Sequence, residues 1–377
     1  MTRPIRICHL CSGHAVSDDR VFARECVSLA RAGYDVHLIA SQKEAAEYTS
    51  RGVQIHAIPF AKGRWRRYAR CAMVGRMAAS LAPDLFHVHE PDLLAPAMKA
   101  AGTRPVIWDA HESYRDMLMD STWIPKHLRG GVRLVWDWHE RRLVRRCAAV
   151  IAVTEPIAQY YRKYATSVHV VANFPDLSVW ENMPPVPRDA NTCVFTGAIS
   201  PIRGLLEVVR AIGILKARGV TVRLELAGPD AESFVAVLLE EASRLGISDL
   251  VAYHGCLAPS DAQALMQAAG IGLVTYLPYK NNMIGWPIKL FQCMAHGLPF
   301  IYSDFPSYRE VAEASGSGIA VDPTDPNSIA NALEQIVKNP KLAQEMGDAG
   351  KRAVFEKFNW NREEAKLLAI YEAILSK

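Results

Sequence analysis

The chain has 377 residues, a length that exceeds one hydrophobic core and predicts two domains. Half of the residues are hydrophobic, which suffices for two cores, and the formal net charge is only +4. The first residues lack the apolar segment of a secretory signal, and no run approaches the roughly 18 apolar residues of a membrane-spanning helix, so we expect a cytoplasmic protein.

The eight cysteines are scattered through predicted strands and helices. This distribution predicts buried thiols in a reducing compartment rather than disulfides. Cys8 and Cys11 form a single CxxC pair without a second pair, which is weak evidence for a metal or redox site.

The first half alternates short apolar strands with helical patterns. The predicted strands span residues 5–10, 35–40, 53–58, 85–89, 105–110, 149–154 and 168–172. Such alternation predicts a doubly wound, mainly parallel α/β sheet. The proline-rich segment 183–191 indicates a linker, so we predict an acceptor-binding domain over residues 1–186.

After the linker the alternation restarts. The predicted strands span residues 193–197, 222–228, 250–255, 271–276, 299–303 and 317–321. We predict a second Rossmann-like domain over residues 187–356 and a last helix, within residues 357–377, that crosses back to the first domain. Two such domains facing each other would form a cleft, because open parallel sheets bind ligands at the carboxyl ends of their strands.

The loop after the first strand offers a glycine and a helix start. Gly13 can bring backbone close to a ligand, and Asp18 or Asp19 can cap the helix that Arg20 enters. An ordinary loop with a capped helix is the alternative.

Two later strands each end in a histidine followed by an acid, the pairs His89-Glu90 and His111-Glu112. We expect these polar pairs to face the mouth of the cleft. Metal binding is an alternative for these residue types, but neither pair has the HExxH spacing that places two imidazoles on one helix face, so we predict no metal.

In the second half several strands end in glycine, at Gly197, Gly228 and Gly255, and Arg203 precedes a helix. Helix N-termini attract phosphate through free N–H groups and the helix dipole, and an arginine adds bidentate charge. Several strand ends with this chemistry predict a nucleotide site.

The stretch GWPIKLFQCMAHGLPFIYSD places Lys289 and Gln292 in the first turns of a helix that follows Pro287. A solvated surface lysine is the common alternative.

With these motifs the chain resembles the retaining glycosyltransferases of family 4, which have the GT-B fold. The resemblance covers nearly the whole chain through the order and spacing of DDRVFAREC, PDLFHVHEPDLL, DAHE, FTGAISPIRG, LELAGPD and PIKLFQCMAHGLPFIYSD. It implies a metal-independent hexosyltransferase that moves a sugar from a UDP- or GDP-linked donor with retained anomeric configuration.

The resemblance also implies roles for individual residues. Arg203 and Lys289 would hold the donor diphosphate, and His111 would contact the donor sugar near the reacting centre. The remaining donor-binding positions would be Gly13, Gly197, Gly228, Gly255, Cys256, Leu257, Pro287, Leu290 and Gln292. The acceptor-side positions would be His14, Arg20, His89, Glu90 and Glu112.

The chain departs from the family at its usual C-terminal signature, two glutamates separated by seven residues. Ile284 and Gln292 occupy those positions here. Gln292 can still bond the ribose hydroxyls, but a carboxamide gives a weaker bond than a charged acceptor, so we expect Gln292→Glu to tighten nucleotide binding.

A basic segment lies between Glu47 and Asp84, where no acid occurs. Its cations are Arg51, Lys62, Arg64, Arg66, Arg67, Arg70 and Arg76. Residues 62–77 could contact an anionic membrane, which would make the protein peripheral, or form a solvated helix face. No motif for nucleic-acid binding accompanies the charge.

The acceptor is expected to be a glycan, a lipid-linked sugar or a small molecule, in the synthesis of cell-envelope polysaccharides or glycoconjugates. Two other classes of protein fit the same motifs. One is an epimerase or hydrolase of nucleotide sugars, and the other is a noncatalytic binding subunit that has lost the glutamates.

Overall fold

The computed structural model describes residues 3–60, 64–120, 124–180 and 186–376. The chain divides into two compact units, Met1–Asn173 with Trp360–Lys377 and Phe174–Asn359. The sequence placed the first boundary later, at residue 186. Phe174 explains the difference, because its ring packs against Trp286, Phe291 and Phe358, all in the second unit. Residues 183–185 of the predicted linker lie outside the described residues.

The first unit contains a sheet with the order β3-β4-β2-β1-β5-β6-β7-β8. Its strands are β1 Arg6–Ala15, β2 Asp35–Gln42, β3 Ala46–Ser50, β4 Val53–Pro59, β5 Leu85–Val88, β6 Val106–Ala110, β7 Ala149–Ala152 and β8 Val168–Val170. Neighbouring strands are parallel except β3, which pairs antiparallel with β4 at the edge. The prediction of a mainly parallel sheet is confirmed, although β3 was not predicted.

The second unit contains a wholly parallel sheet with the order β11-β10-β9-β12-β13-β14. Its strands are β9 Asp189–Thr196, β10 Arg223–Ala227, β11 Val251–Tyr253, β12 Ala269–Val274, β13 Phe300–Ser303 and β14 Gly318–Val321. The six strands predicted for this half are confirmed. Strand order reverses at β9 and β12, and at β1 and β5 in the first unit, which are the points where such sheets bind ligands.

Helices connect these strands. They are α1 Val27–Arg31, α2 Arg64–Ser80, α3 Pro91–Ala101, α4 Tyr114–Asp120, α5 Arg129–Val144, α6 Glu155–Tyr161, α7 Leu205–Ala217, α8 Phe234–Arg244, α9 Pro259–Ala268, α10 Lys280–Ile284, α11 Ile288–Ala295, α12 Pro306–Ser315, α13 Pro326–Lys338, α14 Pro340–Glu356 and α15 Trp360–Leu375. A π-helical segment, Asp19–Cys26, precedes α1, and Asp18 caps it by accepting from the N–H groups of Arg20 and Val21.

The sheet of the first unit is buried on both faces, because successive apolar residues of a strand point to opposite sides. Trp108 packs on the side of α2, α3 and α6, whereas Ile107 packs on the side of α15. The last helix belongs to this unit: the Trp360 Nε1 atom donates to the Ser28 hydroxyl at 2.9 Å.

The cysteines of the chain are free thiols, and all but the exposed Cys256 are buried. This confirms the expectation of buried thiols. Among the described residues, every helix is too short or too polar to span a bilayer. Lys62 of the basic segment lies outside the described residues, as do the side chains of Arg64, Arg66 and Arg67, whose backbone begins α2.

Candidate functional site

Glu90 follows β5 and fixes the end of β1. Its carboxylate accepts the backbone N–H groups of Ser12, Gly13 and His14 at 2.8, 2.7 and 2.8 Å, and the His14 Nδ1 atom at 2.8 Å. Burial raises the pKa of Glu90, but the His14 imidazole and the backbone donors lower it to about 2. The acceptor-side role of Glu90 stays a prediction: the side chain is buried, and its carboxylate already accepts four hydrogen bonds from its own unit. The Gly13 N–H, expected to approach the donor, is bonded here.

Arg20 is also buried rather than directed at an acceptor. Its guanidinium contacts the Asp109 carboxylate at 3.1 Å, the Glu25 carboxylate at 3.0 Å and the carbonyl oxygen of Val171 at 3.1 Å. Burial would raise the pKa of Asp109, but Arg20 and His111 hold it well below its usual range. These contacts give Arg20 a structural role within its own unit, and its acceptor-side role stays a prediction.

A chain of imidazoles leads from the core to the end of β6. The His9 Nδ1 atom lies 2.9 Å from the His89 Nε2 atom, and the His89 Nδ1 atom lies 3.2 Å from the His111 Nε2 atom. Burial lowers the pKa of His89 to about 4, so it is neutral near pH 7. His89 is fully buried, and its acceptor-side role stays a prediction. His111, His14 and Glu112 remain partly exposed.

His111 is oriented by Asp109, whose carboxylate lies 3.0 Å from the His111 Nε2 atom. The Nδ1 atom of His111 has no partner among the described residues. A neutral imidazole that donates from Nε2 presents Nδ1 as an acceptor, so His111 can receive a hydrogen bond from a hydroxyl group.

Three groups of side chains in this unit have metal-ligand chemistry. They are His9 with Glu25, His87 and His89; Cys11 with His14 and Glu90; and His89 with Asp109 and His111. The Glu90 and Asp109 oxygens already accept from backbone, imidazole or guanidinium groups, and Glu25 pairs with Arg20. The Glu90 and Asp109 groups thus belong to an internal hydrogen-bond network, whereas both Glu25 oxygens and the His87 Nε2 atom of the first group are buried without a hydrogen-bond partner among the described residues.

In the second unit, Lys289 extends from the first turn of α11 to the end of β9. Its Nζ atom donates to the Gln292 Oε1 atom at 2.6 Å and to the Thr196 hydroxyl at 3.2 Å. Burial and the charge of Arg203 lower the pKa of Lys289 to about 8, with Cys293 acting in the opposite direction. Lys289 is thus a cation near pH 7 that has only neutral acceptors.

Arg203 lies in a short 3-10 turn, Pro201–Arg203, just before α7. Its guanidinium carbon lies 4.3 Å from the centre of the Tyr276 ring, which fixes the plane of the fork. The Arg203 Nε atom is buried and has no hydrogen-bond partner among the described residues. A buried donor without an acceptor is costly, and a phosphate oxygen would satisfy it.

Two glycines let the strand ends and Lys289 approach one another. Gly197 and Gly228 have φ values of 136° and 138°. A Cβ atom on Gly228 would lie 2.0 Å from the Gly197 carbonyl oxygen, and one on Gly197 would lie 3.1 Å from the Lys289 Cε atom. Larger residues would therefore displace the backbone or the lysine.

A cavity of about 280 Å³ opens beside these residues. Its lining combines strand ends, α9 and α11: Thr196, Gly197, Ala227, Gly228, Pro229, Cys256, Leu257, Pro259, Ala262, Gln263, Met266, Lys289 and Gln292. The structure thus brings together six of the predicted donor-binding residues. The other five predicted donor-binding residues do not line the cavity. They are Gly13, which belongs to the first unit, and Arg203, Gly255, Pro287 and Leu290 of the second unit. Leu290 is fully buried, and its N–H donates to Pro287.

The lining residues that sequence reasoning missed come mostly from α9, through Pro259, Ala262, Gln263 and Met266. They carry no charge or glycine pattern that indicates a ligand. The only signal was their position directly after the glycine of the preceding loop, Gly255.

Comparison with known proteins extends over both units. The family description "Glycosyltransferase Family 4" matches residues 19–179, and "Glycosyl transferases group 1" matches residues 179–353. The MMP alpha-(1->4)-mannosyltransferase of Mycolicibacterium hassiacum is 24% identical over 64% of this chain. The match spans 61% of that relative, less than two thirds of its length.

Solved structures show the same fold. Sucrose-phosphate synthase from Thermosynechococcus elongatus superposes with a TM-score of 0.79 and 16% identity, over 99% of this chain and 100% of that one. The Anabaena protein HepE, solved in complex with UDP and glucose, has a TM-score of 0.72 and 16% identity, over 98% of this chain and 100% of that one. These likenesses confirm the predicted GT-B fold.

Proposed function

Because the chain belongs to glycosyltransferase family 4, matched by two family descriptions over residues 19–353, we propose that it transfers a sugar from a nucleotide-diphosphate sugar to an acceptor hydroxyl. We propose further that the anomeric configuration is retained and that no metal takes part. The observation that carries the proposal is the cation Lys289 in the lining of the glycine-rich cavity of the second unit, together with Arg203, whose charge acts on Lys289.

The two cations supply what a diphosphate requires. Lys289 provides a point charge whose hydrogen-bond acceptors are both neutral, and Arg203 provides a planar fork with an unsatisfied Nε donor. The UDP in the HepE complex supports a UDP-linked donor. Since recognition of the base depends on the shape of the loops, a GDP-linked donor is included in the test below.

The proposed chemistry uses no protein nucleophile. Among the described residues that line the cavity there is no aspartate or glutamate, the residue types that form a covalent glycosyl-enzyme in a double displacement. The proposal is therefore front-face attack: the bond between the anomeric carbon and the diphosphate breaks while the acceptor oxygen bonds to the same face, and a phosphate oxygen takes the hydroxyl proton. Arg203 and Lys289 stabilise the charge of the leaving diphosphate.

His111 is proposed to receive a hydrogen bond from a sugar hydroxyl through its Nδ1 atom. Asp109 holds the ring from the opposite nitrogen at 3.0 Å, so the orientation does not depend on a ligand. His111 acts by positioning in this proposal, because the proton of the acceptor goes to the diphosphate.

The acceptor is proposed to be a glycan, a lipid-linked sugar or a small molecule used in the synthesis of cell-envelope glycoconjugates. The basic segment 62–77 supports a peripheral contact with an anionic membrane that carries such an acceptor.

Mass spectrometry of reactions with a panel of UDP- and GDP-sugars and a cell extract tests the function. We expect one donor to be consumed with formation of a glycosylated product only when the extract is present. Donor turnover without extract would instead identify a hydrolase or epimerase. A complete lack of turnover with every donor would favour a noncatalytic binding subunit.

A further inference from the structure

Helix α5 in the first unit exposes large apolar side chains on one surface. Leu134, Val135 and Trp138 are 66%, 68% and 64% exposed, and Leu128 and Val132 continue the surface toward the N-terminus. Single exposed apolar residues are normal, but five within eleven residues form a contiguous patch. We call these five side chains the α5 surface.

The exposed charges of the segment between Asp120 and Glu155, which carries the α5 surface, have a single sign. Asp137 and Glu140 are the only acids in the sequence between Asp120 and Glu155, and both are buried. The hydroxyl groups of Tyr160 and Tyr161 donate to these acids on the inner side of the helix. The basic residues of the same segment are Lys126, Arg129, Arg133, Arg141, Arg142, Arg145 and Arg146.

The inner side of α5 explains why the outer apolar residues are not core residues. Leu143 and Val144 pack into the hydrophobic core, and the two acids lie on that side as well. The helix is therefore already anchored to its own unit. Leu134, Val135 and Trp138, in contrast, remain mostly exposed.

We propose that the α5 surface lies on the anionic surface of a lipid bilayer. Leu134, Val135 and Trp138 enter the boundary between head groups and acyl chains, while the arginines beyond them contact lipid phosphates. An apolar centre containing tryptophan, bordered by cations, has the composition of helices that lie in the membrane interface. The Arg142 guanidinium carbon lies 5.9 Å from the Trp138 ring centre, so this cation is already next to the apolar centre.

Charge also decides between possible occupants. A second copy meeting the α5 surface with its own would bring the two arginine clusters together, which like-charge repulsion disfavours. A phosphate backbone of nucleic acid would leave the apolar centre in water. An anionic bilayer satisfies both the apolar centre and the cations of the surface, and this holds whether or not the chain transfers a sugar.

Vesicle flotation tests the inference with the full chain. Vesicles of phosphatidylglycerol and phosphatidylcholine are expected to bind the wild type, and a triple variant, Leu134→Gln, Val135→Gln and Trp138→Gln, is expected to bind roughly ten-fold more weakly or less. The matched control changes Val237 and Leu239, which are 43% and 41% exposed on α8 of the second unit, to glutamine. The control should bind like the wild type.

A second variant separates the charges from the apolar centre. Arg145→Gln with Arg146→Gln should weaken binding to phosphatidylglycerol vesicles and reduce its dependence on salt. The proposed membrane contact of the basic segment 62–77 is tested in the same flotation assay with a variant that carries Arg64→Glu, Arg66→Glu and Arg67→Glu.

Several results would overturn the inference. One is failure of the wild type to bind anionic vesicles, and another is unchanged binding of the triple glutamine variant. A solution dimer that the triple variant dissociates, detected by sedimentation velocity, would assign the α5 surface to a protein interface. Unchanged UDP affinity and melting temperature in each variant show that folding and the donor site are intact, so failure here is distinguishable from failure of the proposed transferase.

Discussion

Glu90 in the first unit and Lys289 in the second are both charged side chains at the carboxyl-end edge of a parallel sheet, but their surroundings differ. Glu90 accepts from three backbone N–H groups and one imidazole, and its pKa is about 2. Lys289 donates only to a hydroxyl and a carboxamide, and its pKa is about 8. The charge of Glu90 is stabilised by hydrogen bonds within its own unit. The charge of Lys289 is disfavoured by burial unless an anion binds next to it.

The same contrast separates the two arginines. Arg20 is paired with Asp109 and Glu25 inside the first unit, whereas Arg203 stacks on Tyr276 with an unsatisfied Nε donor. The polar residues at strand ends thus differ in their number of internal partners, and we propose that those with few such partners, Lys289 and Arg203, bind the ligand. Substitutions that remove one charged side chain from each unit test this difference between the two units.

The largest effect is expected from Asp109→Asn. The change leaves the buried Arg20 guanidinium without its main counter-charge, so the free energy of unfolding should fall by about 3–5 kcal/mol. Urea unfolding followed by circular dichroism measures this loss. A change below about 1 kcal/mol would mean that the buried network does not stabilise the first unit.

The second largest effect is expected from Lys289→Met, on catalysis rather than on stability. Losing a cation that contacts the leaving diphosphate should lower kcat/KM by about a hundred-fold, while the free energy of unfolding is maintained because no internal anion loses its partner. Initial rates with the donor found by mass spectrometry measure the change. Lys216→Met, on the exposed side of α7, is the control and should leave the rate unchanged.

A smaller effect is expected when the pH is raised, and it concerns the affinity for UDP. Lys289 must be protonated to attract the diphosphate, and burial places its pKa in the free protein at about 8, so affinity is full below pH 8 and declines above it. A roughly ten-fold loss is expected between pH 7 and 9. In Lys289→Met the affinity should be lower but should not vary through this range. An identical slope in both proteins would exclude Lys289 as the titrating group.

Gln292→Glu should have the smallest effect on affinity. The sequence alone predicts that this change tightens nucleotide binding. In the structure, however, the Lys289 Nζ atom donates to the Gln292 Oε1 atom at 2.6 Å. A glutamate at this position would therefore form an ion pair with the Lys289 ammonium and weaken its interaction with the diphosphate. The opposing effects should leave UDP affinity at pH 7 within about ten-fold of the wild type. The new carboxylate should raise the pKa of Lys289 and move the decline in affinity to higher pH.

Gln292→Leu provides the matched comparison, because it removes the carboxamide without adding charge. It should weaken UDP binding and leave folding intact. If neither change at residue 292 alters UDP affinity or its pH dependence, Gln292 neither orients Lys289 nor contacts the nucleotide.

The alternation of strands and helices was predictable because period-two and helical patterns are local. β3 was missed because AEYTS at the sheet edge is mostly exposed and lacks a continuous apolar side. The unit boundary was misplaced because the aromatic contacts of Phe174 join residues more than a hundred positions apart, which no local pattern records.

The candidate site was partly predictable for the same reason. Glycines and cations next to strand ends identified Gly197, Gly228 and Lys289. Sequence could not reveal the internal bonds of Arg20 and Glu90, because Asp109 lies 89 residues from Arg20 and the backbone donors to Glu90 lie 76 to 78 residues away. Nor could it tell which side of α5 faces solvent, since the helix carries apolar residues on both sides.

Calorimetric titration with UDP and GDP tests most directly whether the second unit holds the nucleotide diphosphate. The proteins compared are the wild type, Lys289→Met, Arg203→Gln and the control Lys216→Met. We predict that one nucleotide binds, that each of the first two variants weakens it at least roughly ten-fold, and that the control binds like the wild type. Equal affinity in all four proteins would contradict the account and place the diphosphate elsewhere.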